Sequence, residues 1–318
     1  MTRADVLVVV GAGVIGLSTG IVLAEAGARV RIVAAEPPLR STSAAATGMC
    51  GPVFHGPDQR TAAWELATVA HLTALADTEP AAGVAITTGL IAAAAGIEQA
   101  PPLADASVLV RIADPDELPA GFGFGMWLRV PMVDMPVYLQ YLLDRFAAAG
   151  GLIVERRVES LASAADGAAT LVNCAGVGAA ALCSDEGLHP VRGQHVVVEN
   201  PGLEGFFMPG PGASEWASWH VHGDHVLLGG ISVEDGWDPA PSQVIADGIL
   251  ERCVALEPRF ADARIIGHRA GLRPVRPRAR LEVEDIGGLR CVHNYGHGGV
   301  GVLQSWGCAQ QAARLARG

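Results

Sequence analysis

The chain contains no lysine; all 22 of its basic residues are arginine. Such a chain cannot form a side-chain Schiff base, which excludes pyridoxal phosphate enzymes, and it cannot complete a Walker-type phosphate loop. Aromatic residues make up only 5% of the sequence, and the tyrosines are limited to Tyr138, Tyr141 and Tyr295. The six cysteines, Cys50, Cys174, Cys183, Cys253, Cys291 and Cys308, include no CxxC pair. Buried free thiols in a reducing compartment are therefore expected, and a metal site built from them is not. Half of the residues are apolar, yet no run of about eighteen is free of glycine or charge. The apolar N-terminus lacks the basic segment and cleavage pattern of a signal peptide, and the final Leu315-Ala316-Arg317-Gly318 carries no peroxisomal address. Together with an Ala, Gly and Arg bias, this predicts a soluble, cytoplasmic, bacterial protein. Net positive charge is lacking too, and a balance of −11 argues against nucleic acid or an anionic membrane as partner.

The sequence does carry an N-terminal phosphate-binding pattern. Asp5-Val6-Leu7-Val8-Val9-Val10 reads as a buried parallel strand. Gly11-Ala12-Gly13-Val14-Ile15-Gly16 follows directly, then a helix over 17–26 closed by Gly27, and a second strand over 29–33 with Glu36 at its end. This is the dinucleotide-binding fingerprint in its strand–turn–helix–strand context. Gly11 suits the tight turn, Gly13 a close pyrophosphate, Gly16 close packing of helix on strand, and Glu36 a ribose hydroxyl. A βαβ unit without cofactor has similar spacing, and the fingerprint alone does not separate FAD from NAD.

At 318 residues the chain is expected to hold two domains. Hydrophobic periodicity predicts helices over 59–77, 137–149 and 243–256. It predicts strands over 83–97, 108–112, 126–130, 152–158 and 170–173, and longer antiparallel strands over 191–198 and 226–231. The two kinds of segment alternate along the chain. The expected fold is α/β, with a Rossmann-type domain from 1–50, 137–190 and 265–318. A second, α+β domain on a mostly antiparallel sheet is expected from 51–136 and 191–264.

The longest motif lies near the C-terminus, in Cys291-Val292-His293-Asn294-Tyr295-Gly296-His297-Gly298-Gly299-Val300-Gly301-Val302-Leu303-Gln304-Ser305-Trp306-Gly307-Cys308-Ala309. A glycine-rich turn opening a helix presents free N–H groups at the positive end of the helix dipole, which suits an anion. The string resembles the signature of the D-amino acid oxidase family of flavoenzymes. Weaker likeness extends over most of the chain, with blocks at 10–19, Arg157-Val158-Glu159-Ser160, 172–177, Arg192-Gly193-Gln194 and 271–282.

The resemblance implies a non-covalently bound FAD. It assigns Gly11, Gly13, Val14, Ile15, Gly16 and Glu36 to the fingerprint contacts. Ser41, Thr42, Ser43 and Gly48 correspond to pyrophosphate and ribityl contacts, Val158 to the adenine contact, and Gly176 to a second glycine turn. Gly298, Gly299, Val300, Gly301, Val302 and Leu303 correspond to the turn and helix start at the flavin's pyrimidine edge. Arg273, in Gly271-Leu272-Arg273-Pro274-Val275-Arg276-Pro277, matches the arginine that grips the substrate α-carboxylate, a task for which a planar guanidinium is suited. The implied chemistry is hydride transfer from the substrate Cα to flavin N5. Imine hydrolysis follows, then reoxidation by O2 with release of H2O2. The implied partners are a small amino acid-like molecule with a free carboxylate and O2, and the sequence leaves a homo-oligomer open. A nicotinamide-dependent dehydrogenase and a flavin-binding protein without turnover are the alternatives.

The chain departs from the family around the substrate. In Ala217-Ser218-Trp219-His220-Val221-His222, Trp219 stands where a tyrosine is expected, and Leu303 replaces a hydroxyl-bearing residue near the flavin. A more apolar pocket follows, suited to a hydrophobic D-amino acid or an N-substituted glycine, the latter releasing glyoxylate and an amine. The catalytic set expected from the resemblance is Arg273, Gly299 and Trp219. His220, His222 and His225 form an H-x-H-x-x-H pattern in which the first two share a strand face; a pocket wall is favoured over a metal site there. His55 is a candidate for the pocket mouth. His293 and His297 read as structural or flavin-edge residues, and the basic cluster at 269–280 as a strand edge ion-paired with Glu282 and Glu284.

Overall fold

A computed structural model describes residues 6–54, 58–97, 99, 102–210 and 213–318; His55 lies outside them. The chain opens with β1 (Val6–Val10), α1 (Val14–Glu25), β2 (Arg29–Ala34) and α2 (Gln59–Thr78). Then come β3 (Val84–Ala94), β4 (Leu109–Ile112), β5 (Phe122–Val133), α3 (Met135–Ala148), β6 (Leu152–Glu155), α4 (Leu161–Ala165), β7 (Thr170–Asn173) and α5 (Ala179–Cys183). The C-terminal half comprises β8 (His189–Glu199), β9 (Phe206–Pro209), β10 (Glu215–His222), β11 (His225–Ile231), β12 (Val233–Glu234), α6 (Gln243–Leu256), β13 (Ile265–Ile286), β14 (Leu289–His297) and α7 (Gly301–Arg317).

Among the described residues, all fourteen strands join one sheet. Its main path runs β4-β5-β3-β9-β10-β11-β8-β13-β14-β7-β1-β2-β6, with β12 beside β8. The pairs from β14 through β7, β1, β2 to β6 are parallel, whereas the other half is antiparallel except for β3 on β9. The α/β architecture matches the sequence expectation, but the two kinds of sheet are continuous. The join is β13, whose 22 residues pair with β8 from Ile265 to Val275 and with β14 from Val275 to Ile286. The change of partner surrounds Pro274 and Pro277, which carry no N–H for a ladder.

Two layers of helix cover this sheet. α1 and α7 pack on the parallel strands, α3 packs on α1, and α2 packs on α7 and on β3 and β5, so that Leu17, Ile21, Leu72, Phe146 and Trp306 share one core. Close approach of α2 and α7 requires Gly307, where a Cβ would collide with the Trp64 backbone. Two tyrosines are committed to structure. Tyr138 accepts from Trp306 Nε1 at 2.7 Å, and Tyr295 donates to Asp185 at 2.7 Å while accepting from Arg280 at 3.0 Å. α6 lies over the antiparallel half, where Ile249, Cys253 and Phe260 pack on Val196, Val198 and Leu228. Among the described residues, no helix is long and apolar enough to cross a membrane. All six cysteines are free, and only Cys183 is not buried.

Candidate active site

The fingerprint folds as a cradle. Gly11 has φ +99°, and a Cβ there would strike the Cys174 carbonyl; one on Gly16 would strike the Gly11 carbonyl. A Cβ on Gly13 would come within 3.0 Å of Ser43 Oγ, which itself accepts from the Val14 N–H at 3.0 Å. α1 begins at Val14, three residues earlier than the sequence pattern predicts, with no capping side chain and no acidic residue in its first turn. Ile15 and Gly16 stand in that turn, so its backbone donors and dipole face the loop at 41–48. Glu36 is exposed just beyond β2, Val158 packs beside Val33 and Leu161, and Gly176 has φ +56°.

Thr42 and Ser43 lie in a short 3-10 turn, Thr42–Ala45, which Ser41 joins to another at Pro38–Arg40, and Gly48 has φ +75° with no room for a Cβ beside the Val133 carbonyl. Across from them, Gly298, Gly299 and Val300 form a third such turn that runs into α7 at Gly301, again without a capping side chain. Gly299 and Val300 are exposed, whereas Val302 and Leu303 are buried in the first turn of α7. Two uncapped helix starts, α1 and α7, thus share one region with a glycine cradle, a polar loop and a glycine turn. These residues fit FAD: glycines at 11, 13 and 16 keep side chains out of the cradle, and the helix starts supply N–H donors to anionic oxygens.

Arg273 sits on the same side of the sheet. Its guanidinium lies on Gly193, where a Cβ would collide with it, and its side chain is the nearest neighbour of a Cβ built on Gly299. Nη1 donates to the Ile231 carbonyl at 3.1 Å and to the Arg192 carbonyl at 3.4 Å. Among the described residues it has no carboxylate partner, and burial lowers its pKa from the ordinary arginine value. Arg280 pairs with Glu282 and Glu284 as expected, whereas Arg276 pairs with Asp185.

Strand register decides which side chains share this face. Arg269 pairs with His195 and lies four residues from Arg273, hence on its face. A Cβ on Gly229 would touch both the His195 ring and Ser218 Oγ, so Ser218 belongs there too, as do His220 and His222 by alternation along β10. The Trp216 indole packs over Gly230 and donates to Ser218 at 3.2 Å.

Trp219 is not among them. It pairs with Leu228 and Phe207, stacks on Phe207 at 4.6 Å between ring centroids, and meets Phe260 edge-on beneath α6. The expected role for Trp219 over the substrate therefore fails, because odd and even residues of β10 face opposite sides. Trp216 is the other indole of β10: it packs over Gly230, next to Ile231 whose carbonyl accepts from Arg273, on a stretch where a bulge between Glu215 and Ser218 interrupts the alternation.

The histidines near the site are neutral. Burial, reinforced by Arg273, pushes His195 down to about 4; burial also pushes His297 to about 4 and His220 well below its ordinary range. His220 stacks on Phe206, and His222 stacks on His225 at 5.6 Å. His293 is buried and bonds Glu284 at 2.9 Å, a structural position.

Comparison with known proteins places this geometry in context. Residues 7–315 match the family described as DAO, FAD dependent oxidoreductase. The chain is 44% identical to a D-amino-acid oxidase of Rubrobacter xylanophilus over 97% of its length and 95% of that protein's. It is 42% identical to a D-amino-acid oxidase of Streptomyces coelicolor over 98% and 96%. Its fold is similar to that of glycine oxidase from Geobacillus kaustophilus, with a TM-score of 0.81 at 21% identity over 98% and 94% of the two chains. With the glycine cradle, the two uncapped helix starts and these matches in hand, the chain belongs to the DAO family of FAD-dependent oxidoreductases.

Proposed function

We propose that the protein is an amino acid oxidase whose substrate is anchored through its α-carboxylate by Arg273 and carries an apolar substituent. The observation that supports this best is the orientation of Arg273. Both of its hydrogen bonds to the described residues leave from Nη1, so the edge made by Nε and Nη2 has no partner among them. That edge matches the two oxygens of a carboxylate, and a buried cation without a counter-ion favours an anionic ligand. Gly193 and Gly299 leave the space that the guanidinium needs.

FAD, when bound, supplies the two-electron acceptor for the substrate Cα–H bond, and O2 its reoxidation with release of H2O2. The chain's own residues bind and orient. Arg273 fixes one end of the substrate, which restricts how the Cα–H is presented. His195 is neutral and adds no second charge beside the clamp. Trp216, with Gly230 beneath it, offers an apolar wall to the substituent. The glycine turn and the cradle give FAD a non-covalent seat.

A bulky apolar D-amino acid fits this arrangement; the relatives at 44% and 42% identity are named D-amino-acid oxidases, which supports the D-amino acid class but not the side chain. An N-substituted glycine would present the same carboxylate and a substituent against the same wall. Anaerobic bleaching of the flavin absorbance distinguishes them, scanned over D-leucine, D-phenylalanine, D-alanine, the L-isomers and N-ethylglycine. The expected result is reduction by bulky apolar D-amino acids about tenfold or more faster than by D-alanine, the discrimination an apolar pocket supplies per methylene or two. Equal rates with D-alanine would refute the apolar assignment. Bleaching by no amine at all would make this a flavin-binding protein without turnover.

A further inference from the structure

We propose that His195 and His222 are positioning residues for FAD, each holding one backbone carbonyl of the loop at 41–48. This rests on the assignment of that loop to FAD contact. The loop consists of single 3-10 turns, Pro38–Arg40 and Thr42–Ala45, followed by an extended stretch to Gly48. Its internal bonds are short-range, from Ala44 N–H to the Ser41 carbonyl at 3.0 Å and from Ala46 N–H to the Ser43 carbonyl at 3.2 Å. Turns of this kind have poor hydrogen-bond geometry and need outside support to keep one conformation.

That support comes from the antiparallel half of the sheet. His195 Nδ1–H, on β8, donates to the Ala45 carbonyl at 3.1 Å, and His222 Nε2–H, on β10, donates to the Thr47 carbonyl at 3.0 Å. Thr42 adds a third tie through its hydroxyl, which bonds the Leu272 backbone beside Arg273. A carbonyl acceptor demands a protonated nitrogen, so the two bonds fix opposite tautomers, Nδ1–H in His195 and Nε2–H in His222. Both rings stay neutral: burial pushes each to about 4, and the nearby Arg269 guanidinium acts in the same direction on both. Because a peptide unit is planar, holding the Thr47 carbonyl also sets the direction of the Gly48 N–H, and holding the Ala45 carbonyl sets that of Ala46. His195 lies two residues from Gly193, on which the Arg273 guanidinium rests. One strand therefore carries both a support for the cofactor loop and the seat of the substrate clamp.

The test measures the FAD dissociation constant by diluting holoprotein and following the fluorescence of released FAD. It compares His195→Leu, His222→Leu, His195→Asn and His222→Gln, with Gly13→Val and Ser43→Ala as references. Native-state circular dichroism checks that each variant is folded. Removing one hydrogen bond of about 1.4 kcal/mol corresponds to about tenfold, so each leucine variant is expected to weaken FAD binding by that factor. Asn offers an N–H near the Nδ1 position and Gln one near Nε2, so both are expected to recover affinity to within about threefold, a rescue that simple loss of packing would not show. Folded leucine variants that hold FAD as tightly as the parent, while Gly13→Val loses it, would overturn the assignment to the two histidines. Asn and Gln variants as weak as leucine would do the same. Unchanged affinity in both Gly13→Val and Ser43→Ala would instead overturn the placement of FAD against this loop.

Discussion

Replacing Arg273 with leucine tests the substrate clamp directly. Leucine keeps the apolar stem of the side chain and removes five N–H donors, of which only Nη1 is engaged, at 3.1 and 3.4 Å from two carbonyl oxygens. The Nε–Nη2 edge offers a carboxylate two charge-assisted hydrogen bonds of about 1.5–3 kcal/mol each. Allowing for the water that they displace, the loss is about 3–4 kcal/mol, or a rise of about 150- to 1000-fold in substrate Kd. Arg273→Lys retains the charge but not the fork and is expected to lie between leucine and the parent. Stability should move little, since leucine removes an unpaired buried cation while leaving two carbonyls short of a donor. The assay is stopped-flow anaerobic reduction of the bound flavin, in which the concentration dependence gives Kd and the plateau gives the limiting rate. A leucine variant whose Kd stays within about tenfold of the parent, with flavin still bound, would refute the argument, because no bidentate contact to a buried guanidinium is worth so little.

The two tryptophans of β10 provide a paired test. Trp219→Ala empties the layer between Phe207 and Phe260 and is expected to cost about 3–5 kcal/mol in chemical denaturation, with the substrate preference order unchanged. Trp216→Ala is expected to reorder that preference toward smaller or larger substituents; a preference that moved with Trp219 instead would reverse the assignment of faces. Acid should destabilise the fold early. Unfolded histidines take up protons as pH falls below about 6.5, whereas His195 and His297 do so only near about 4, and burial pushes His220 in the same direction. Their contribution is complete above pH 6.5 and is lost as pH falls through the window between those values. Between pH 7 and 5.5 the loss is about 1 kcal/mol for each of His195 and His297, about 2 kcal/mol together, and His220 acts in the same direction; urea denaturation at the two pH values measures it.

The parallel half was legible because local and global signals agree there: β-branched runs, glycines at fixed spacing and an acidic residue at the right distance. Helices α2 and α6 were legible from apolar periodicity, and α6 matches to the residue. β13 was not read at its full length, since Pro274 and Pro277 interrupt the pattern that marks a strand, and the partner exchange that tolerates them is a tertiary fact. Trp219 was misplaced because a family position was carried over without following the side-chain alternation already noted for His220 and His222. The supporting histidines were invisible for a different reason. Their acceptors, Ala45 and Thr47, are 150 and 175 residues away in the chain, and a carbonyl acceptor imposes no residue type that a pattern could reveal.

The long strand β13 also constrains how a substrate is admitted. Where two lobes are joined by linkers, one can swing on the other and shut like a jaw. Here a single backbone is laced to β8 along one part and to β14 along the next, with Arg273 just before the changeover. The clamp on β13 and the glycine turn that follows β14 therefore belong to one beam, and no hinge can separate them without breaking ladder bonds. The spacing between the clamp and the glycine turn is thus set by the ladder bonds of one continuous sheet.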